Sequence, residues 1–140
     1  MTAVHVVVRV GGESYALPVE NVLEVAPLGR IAAVPGSPAS VLGVRNLRGQ
    51  ILPVFDLASV LGLHAGEARA RVLVAECDNR RAGFAVDEVH DVEALPAAEE
   101  ETRSRLLAGA ALTDGELVGI VDVPALFASL VPEAAKDEAK

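Results

Sequence analysis

The chain has no tryptophan, one tyrosine, three phenylalanines and one cysteine, and its only lysines are Lys136 and Lys140. Each shortage removes a class of function. Aromatic residues make up 3% of the chain, too few for a platform on which bases stack. The net charge is −8 and the arginines are scattered, so no basic patch is concentrated enough to displace counterions from phosphates. Cys77 has no second cysteine to bond with. No apolar run approaches the roughly 18 residues of a membrane span. The opening "MTAVHVVVRVGG" lacks a basic leader and a small-residue cleavage site and reads as a strand rather than a signal peptide. The expectation is a cytoplasmic protein whose partners are proteins.

What is present is apolar and β-branched. Hydrophobic residues make up 51% of the 140, enough for one compact unit held by its own core. Val4–Val10 and Ser14–Val19 flank a glycine-rich turn, a hairpin signal. "VENVLEVAPL" continues the pattern, "RIAAV" reads as a further short strand, and Pro35–Ser40 is a loop on composition. Val41–Leu47 and Ile51–Phe55 form another hairpin, with Gly49 able to supply positive φ at its tip. Leu57–Leu61 is a short helix that Asp56 is placed to cap. "GLHAGEARA" is a link to the second half of the chain.

The chain also repeats itself. "RGQILPVFDLASVLGL" (Arg48–Leu63) aligns without gaps on "DGELVGIVDVPALFAS" (Asp114–Ser129), and "ALPVENVLEV" matches "AVDEVHDV" more loosely. Residues 1–132 thus read as one domain of two similar halves, roughly 4–63 and 71–130, with a polar tail, 133–140. Halves this small are marginal alone and should share a core. "ILPVF" is apolar on both faces, so both faces should be covered. The expected fold is all-β, two small packed barrels with a short helix after the second hairpin of each half.

Chemistry has little support. His5, His64 and His90 lack partners at metal-ligand spacing. Cys77 precedes "DNRR", which could lower a thiol pKa, yet no base can be named for it. "GGES" and "GSPAS" lack the spacing and the helix that a phosphate cradle needs. Neither metal nor other cofactor is expected. Asp56 and Asp122 are matching carboxylates and the basis for a weaker alternative, a small aspartate-dependent enzyme. Each lies just before an apolar helix, where capping accounts for it, and the Asp-Thr/Ser-Gly pattern of an aspartic protease is missing. Arg48 is either a solvated turn residue or an interface arginine beside apolar strands, with Arg45 three residues away.

The block "VLGVRNLRGQILPVFDLASVLGL" (Val41–Leu63) resembles the signature of the CheW family of chemotaxis coupling proteins, G-x-x-N-L-R-G-x-x-x-P-V-x-D-L. Gly43, Asn46, Leu47, Arg48, Gly49, Pro53, Val54, Asp56 and Leu57 fall in place, and "YALPVENVLEV", "AGFAVDEVHDV" and "LVGIVDVPALF" extend the likeness in order. The resemblance implies two five-stranded SH3-like barrels and a non-catalytic adaptor joining chemoreceptor tips to the histidine kinase CheA. A groove between the barrels would take the receptor's helical hairpin, and a barrel end would dock the kinase's regulatory domain. It implies Val22, Glu24, Arg48 and Val86 as receptor contacts, Arg48 alternatively bracing the loops beside them. Asn46, Leu47, Gly49, Pro53, Asp56 and Asp122 would be structural. Arg45 stands where the family usually carries an uncharged residue. A stand-alone coupler is expected, with flagellar output or one such as pilus motility or development.

Overall fold

A computed structural model describes residues 2–63, 69–96 and 104–130. Four hairpins share one construction. β1 (Thr2–Val10) and β2 (Glu13–Pro18) turn through Gly11–Gly12, and β4 (Val41–Leu47) and β5 (Gln50–Asp56) through Arg48–Gly49. β6 (Arg71–Cys77) and β7 (Arg80–Val86) turn through Asp78–Asn79, and β9 (Leu107–Thr113) and β10 (Glu116–Val121) through Asp114–Gly115. All eight turn residues have positive φ, from 50° to 83°. Two-residue loops of this kind match the twist of the strands they join. β3 (Val22–Pro27), β8 (Glu88–Pro96), α1 (Leu57–Val60) and α2 (Val123–Ser129) complete the elements.

The strands form two five-stranded sheets, as an all-β chain requires. Sheet one runs β8–β1–β2–β10–β9 and sheet two runs β3–β6–β7–β5–β4. The expected short helix comes after the second hairpin of each half. The halves themselves, however, are not the sheets. The β1–β2 hairpin lies with β8, β9 and β10, whereas β6–β7 lies with β3, β4 and β5. Each half therefore gives its leading hairpin to one sheet and its remaining strands to the other. The repeat is real at the level of ladders: β2 pairs parallel with β10 as β7 does with β5. Among the described residues "RIAAV" contributes one bridge, Ala32 to Val44, instead of a strand.

The main core lies between the sheets. Val6, Val8, Tyr15 and Leu17 from sheet one meet Phe55, Leu73, Phe84 and Val86 from sheet two, with Leu57 of α1 and Phe127 of α2. All three phenylalanines meet there: Phe55 stacks on Phe84 at a centroid distance of 5.9 Å, and Phe84 meets Phe127 edge to face at 5.8 Å. Smaller clusters fill the inner faces, around Val7, Leu95 and Val118 in sheet one and Val54, Val72 and Ala85 in sheet two. This accounts for the apolar residues on both faces of "ILPVF": Phe55 faces the inter-sheet core and Val54 the inside of its own sheet. His64 and the tail from residue 133 lie outside the described residues.

Candidate protein-binding site

The motif builds a turn first. Arg48 and Gly49 occupy its two central positions at φ 53° and 82°, and the Asn46 Oδ1 accepts a hydrogen bond from the Gly49 N–H at 2.9 Å. A side-chain cap of this kind stabilises the tip without a third strand. Gly43 is needed for close approach, since a Cβ there would collide with the Ala32 carbonyl. Pro53 sits in β5 one residue before its parallel ladder with β7 begins.

That turn aims Arg48 across the open end of sheet two. Its guanidinium, with a side chain 77% exposed, donates from Nη1 to Glu24 Oε2 on β3, whose side chain is 22% exposed. Leu47, Leu23, Gln50, Leu52, Val74 and Arg81 join this pair around a cleft of about 250 Å³. Arg81 is itself tied to Glu76 at 3.0 Å and to Gln50 at 2.9 Å. The structure thus brings Glu24, Asn46, Leu47, Arg48 and Gly49 together, with Val22 half-buried against the inter-sheet core just before Glu24.

Val86 does not join them. It is fully buried in the inter-sheet core, because "FAVDEV" places it on the face of β7 turned toward sheet one, beside Phe84. It cannot touch a partner in this fold. Exposed apolar residues lie both at the cleft, where Leu23 is 45% accessible, and away from it: Val4, Val19, Val25 and Val92 are between 40% and 56% accessible. Val92 pairs across from Val6, and Val25 across from Leu73. Both partners are buried between the sheets, so Val92 and Val25 continue that core's two walls outward. Val19 lies in the single 3₁₀ turn Val19–Asn21, which contacts both β1 and β6. These valines form an apolar margin outside the core. A sequence signal existed for one of them, Val92, which stands between Asp91 and Glu93 in a polar strand.

The two aspartates have separate structural tasks. Asp122 caps α2, accepting from the Ala125 N–H at 3.1 Å. Asp56 holds the equivalent position before α1, but its side chain caps no backbone N–H, contrary to expectation. It is 1% exposed, and its Oδ2 accepts from Ser59 and from Arg69, each at 2.9 Å. Among the described residues its Oδ1 has no partner. Arg69, near the end of the link between the halves, holds the carboxylate instead.

Other titratable groups are also engaged structurally. His5 is buried, with Nδ1 2.9 Å from the Ala3 carbonyl. The Cys77 thiol is pushed up by desolvation and by Asp78, against Arg80, so "DNRR" does not activate it. Hydrogen bonds from Ser14 and Arg9 hold the Glu116 carboxyl below its usual range. Burial, with the Glu13 carboxylate accepting from its hydroxyl, pushes Tyr15 up to about 12. Among the described residues no three His, Cys, Asp or Glu side chains are grouped to hold a metal, and no helix is long and apolar enough to cross a membrane.

Comparison with known proteins places this fold in a family. The CheW-like domain matches residues 5–131. The chain is 30% identical to the probable chemotaxis protein CheW of Rhizobium etli, across 91% of this chain and 88% of that protein. It is 39% identical to PilI of Pseudomonas aeruginosa, across 63% of this chain and 51% of that protein. In structure it is similar to the scaffolding protein TtCheW of Thermoanaerobacter tengcongensis, with a TM-score of 0.82 and 29% identity over 91% of this chain and 88% of that one. From the hairpin motif through both interlocked sheets, the chain belongs to the CheW-like family.

Proposed function

We propose that this chain is a cytoplasmic, non-catalytic adaptor that couples the helical tips of chemoreceptors to the regulatory domain of the histidine kinase CheA. The apolar margin carries the reading; on β3 it begins at Val25, the residue after Glu24. Val19 and Val25 on one side and Val4 and Val92 on the other are spaced by two sheets that cannot close over them. An amphipathic helical hairpin presents apolar ridges suited to such a margin, and the charged pair at its border adds orientation rather than bulk affinity. The kinase domain docks at a barrel end. Each sheet is read as an SH3-like barrel, supported by the Ala32–Val44 bridge in one and contact between the outer strands β8 and β9 in the other.

The test is titration of a soluble receptor cytoplasmic fragment against the wild-type protein and Val92→Asp. Binding that the substitution abolishes supports the reading; a wild-type protein that binds no receptor fragment refutes it. The likeness to PilI favours a second reading of the output, a non-flagellar one such as pilus motility or development. Pull-down from native extract, identifying the kinase and receptor that co-purify, separates the two.

A further inference from the structure

β3 and β4 are the two outer strands of sheet two, and no backbone ladder joins them. Side chains close the seam instead. Arg48 reaches Glu24, and Arg45 Nη1 donates to the Pro27 carbonyl at 2.6 Å. Glu24 to Pro27 is a step of three residues along β3, and from Arg48 in the turn to Arg45 on β4 is the same step back. Two guanidinium rungs therefore stand in antiparallel register where backbone hydrogen bonds would otherwise be. The second rung lies flat against Gly29, where a Cβ would stand 3.1 Å from the Arg45 Cζ. Beyond it Ala32 and Val44 exchange both backbone bonds at 2.9 Å, and the seam ends.

We infer that Arg45 is a positioning residue for the partner surface. It holds the end of β3 against β4, and so sets Glu24 opposite Arg48 and fixes the face that carries Val22 and Val25. The inference rests on the adaptor reading. Its mechanism is local: the rung removes one freedom, sliding or lifting of an outer strand whose backbone is paired on one side alone, to β6. An outer strand so held loses less entropy when a partner docks on it.

The experiment compares Arg45→Met, which keeps the aliphatic stem over Gly29 but has no donor, with Arg45→Lys, which keeps a cationic donor. Affinity for a soluble receptor fragment is read together with amide hydrogen exchange in β3. Arg45→Met should weaken binding about tenfold, the worth of one charge-assisted hydrogen bond, and speed exchange at Glu24 and Val25; Arg45→Lys should retain most of both. In a Glu24→Gln background, Arg45→Met should cost less than about twofold further, because the rung acts through that pair. Wild-type affinity in Arg45→Met, with binding still abolished by Val25→Asp, overturns this inference alone. Fold losses that multiply with Glu24→Gln also overturn it, since they describe independent sites. Failure of the wild-type protein to bind any receptor fragment overturns the adaptor reading and this inference with it.

Discussion

The Arg48 guanidinium, at the tip of the β4–β5 hairpin, is paired with the Glu24 carboxylate of β3, a strand with which its own hairpin shares no ladder. The pair spans the open end of sheet two rather than stabilising the turn that carries it. Its two ends differ in exposure, 77% for Arg48 and 22% for Glu24. The guanidinium is thus mostly open to solvent while the carboxylate is largely covered.

Arg48→Ala should leave the fold nearly as stable as before. An exposed ion pair contributes about 0–1 kcal/mol, and alanine tolerates the positive φ of this turn no worse than arginine does. Receptor binding should fall by about 2 kcal/mol or more, roughly thirtyfold, if Arg48 is a hot-spot contact. Arg48→Asn, which suits the turn conformation but lacks the guanidinium, should reproduce the binding loss with an unchanged melting temperature. Normal binding by both variants would return Arg48 to a solvated turn residue.

Val86→Asp and Val92→Asp should part company. The first places an unpaired carboxylate in the inter-sheet core and should prevent folding, by the cost of burying a charge without a partner. The second changes a residue 56% exposed and should shift stability within about 0.5 kcal/mol. Circular dichroism and thermal melts distinguish them directly. A folded Val86→Asp protein would contradict the burial of this face of β7.

Asp56 and Arg69 should couple strongly. Arg69→Ala leaves the Asp56 carboxylate buried with Ser59 alone, and breaking a buried pair in this way costs about 3 kcal/mol or more. Arg69 is 30% exposed at its side chain, which sets the expected loss near the lower end. The double variant Asp56→Asn with Arg69→Ala should be more stable than Arg69→Ala, because no charge is stranded. Urea denaturation of the four proteins gives the coupling energy, and additive losses would contradict the pairing.

Tyr15 is the single tyrosine of a chain without tryptophan, so phenolate absorbance reports it alone. Its folded pKa is raised to about 12 from 10.0. Between those values the unfolded chain loses the proton and the folded one keeps it. The stabilisation is therefore complete below pH 10.0 and falls as pH rises toward about 12. Spectrophotometric titration should show a midpoint near 12 in native conditions and an ordinary one in denaturant. Tyr15→Phe should remove that part of the alkaline destabilisation, and an unshifted native midpoint would contradict the burial of the ring hydroxyl.

Much of the fold was written in local chemistry. Hairpins were legible because Gly11–Gly12, Asp114–Gly115 and Gly49 mark positions that need positive φ, and that demand arises within a few residues. The helices after β5 and β10 were legible from an aspartate before an apolar run. Arg48 could be singled out for the same reason, as the arginine of a tight turn, whereas Asn46 came from the family resemblance. The Arg48–Glu24 pair, the burial of Val86 and the exposed valines other than Val92 could not be read in this way. "FAVDEV" is apolar on both faces of β7, so alternation does not say which face meets the other sheet. Asp56 lost its expected cap to Arg69, thirteen residues away, a competitor that propensity does not weigh.

The sequence by itself determined the β-branched segments, their tight turns, their twofold repeat and the motif at the Arg48 turn. The tertiary structure alone decided that the halves interlock, β3 adding to β6 and β8 to β1. Equivalent repeats offer equivalent edges, so a third strand finds a ladder of similar strength on its own hairpin or on its twin's. The choice rests on how the two apolar faces close over one shared core, around Phe55, Phe84 and Phe127. That same closure leaves Val19, Val25 and Val92 exposed outside the core, because two twisted sheets in contact at their centres diverge at their edges.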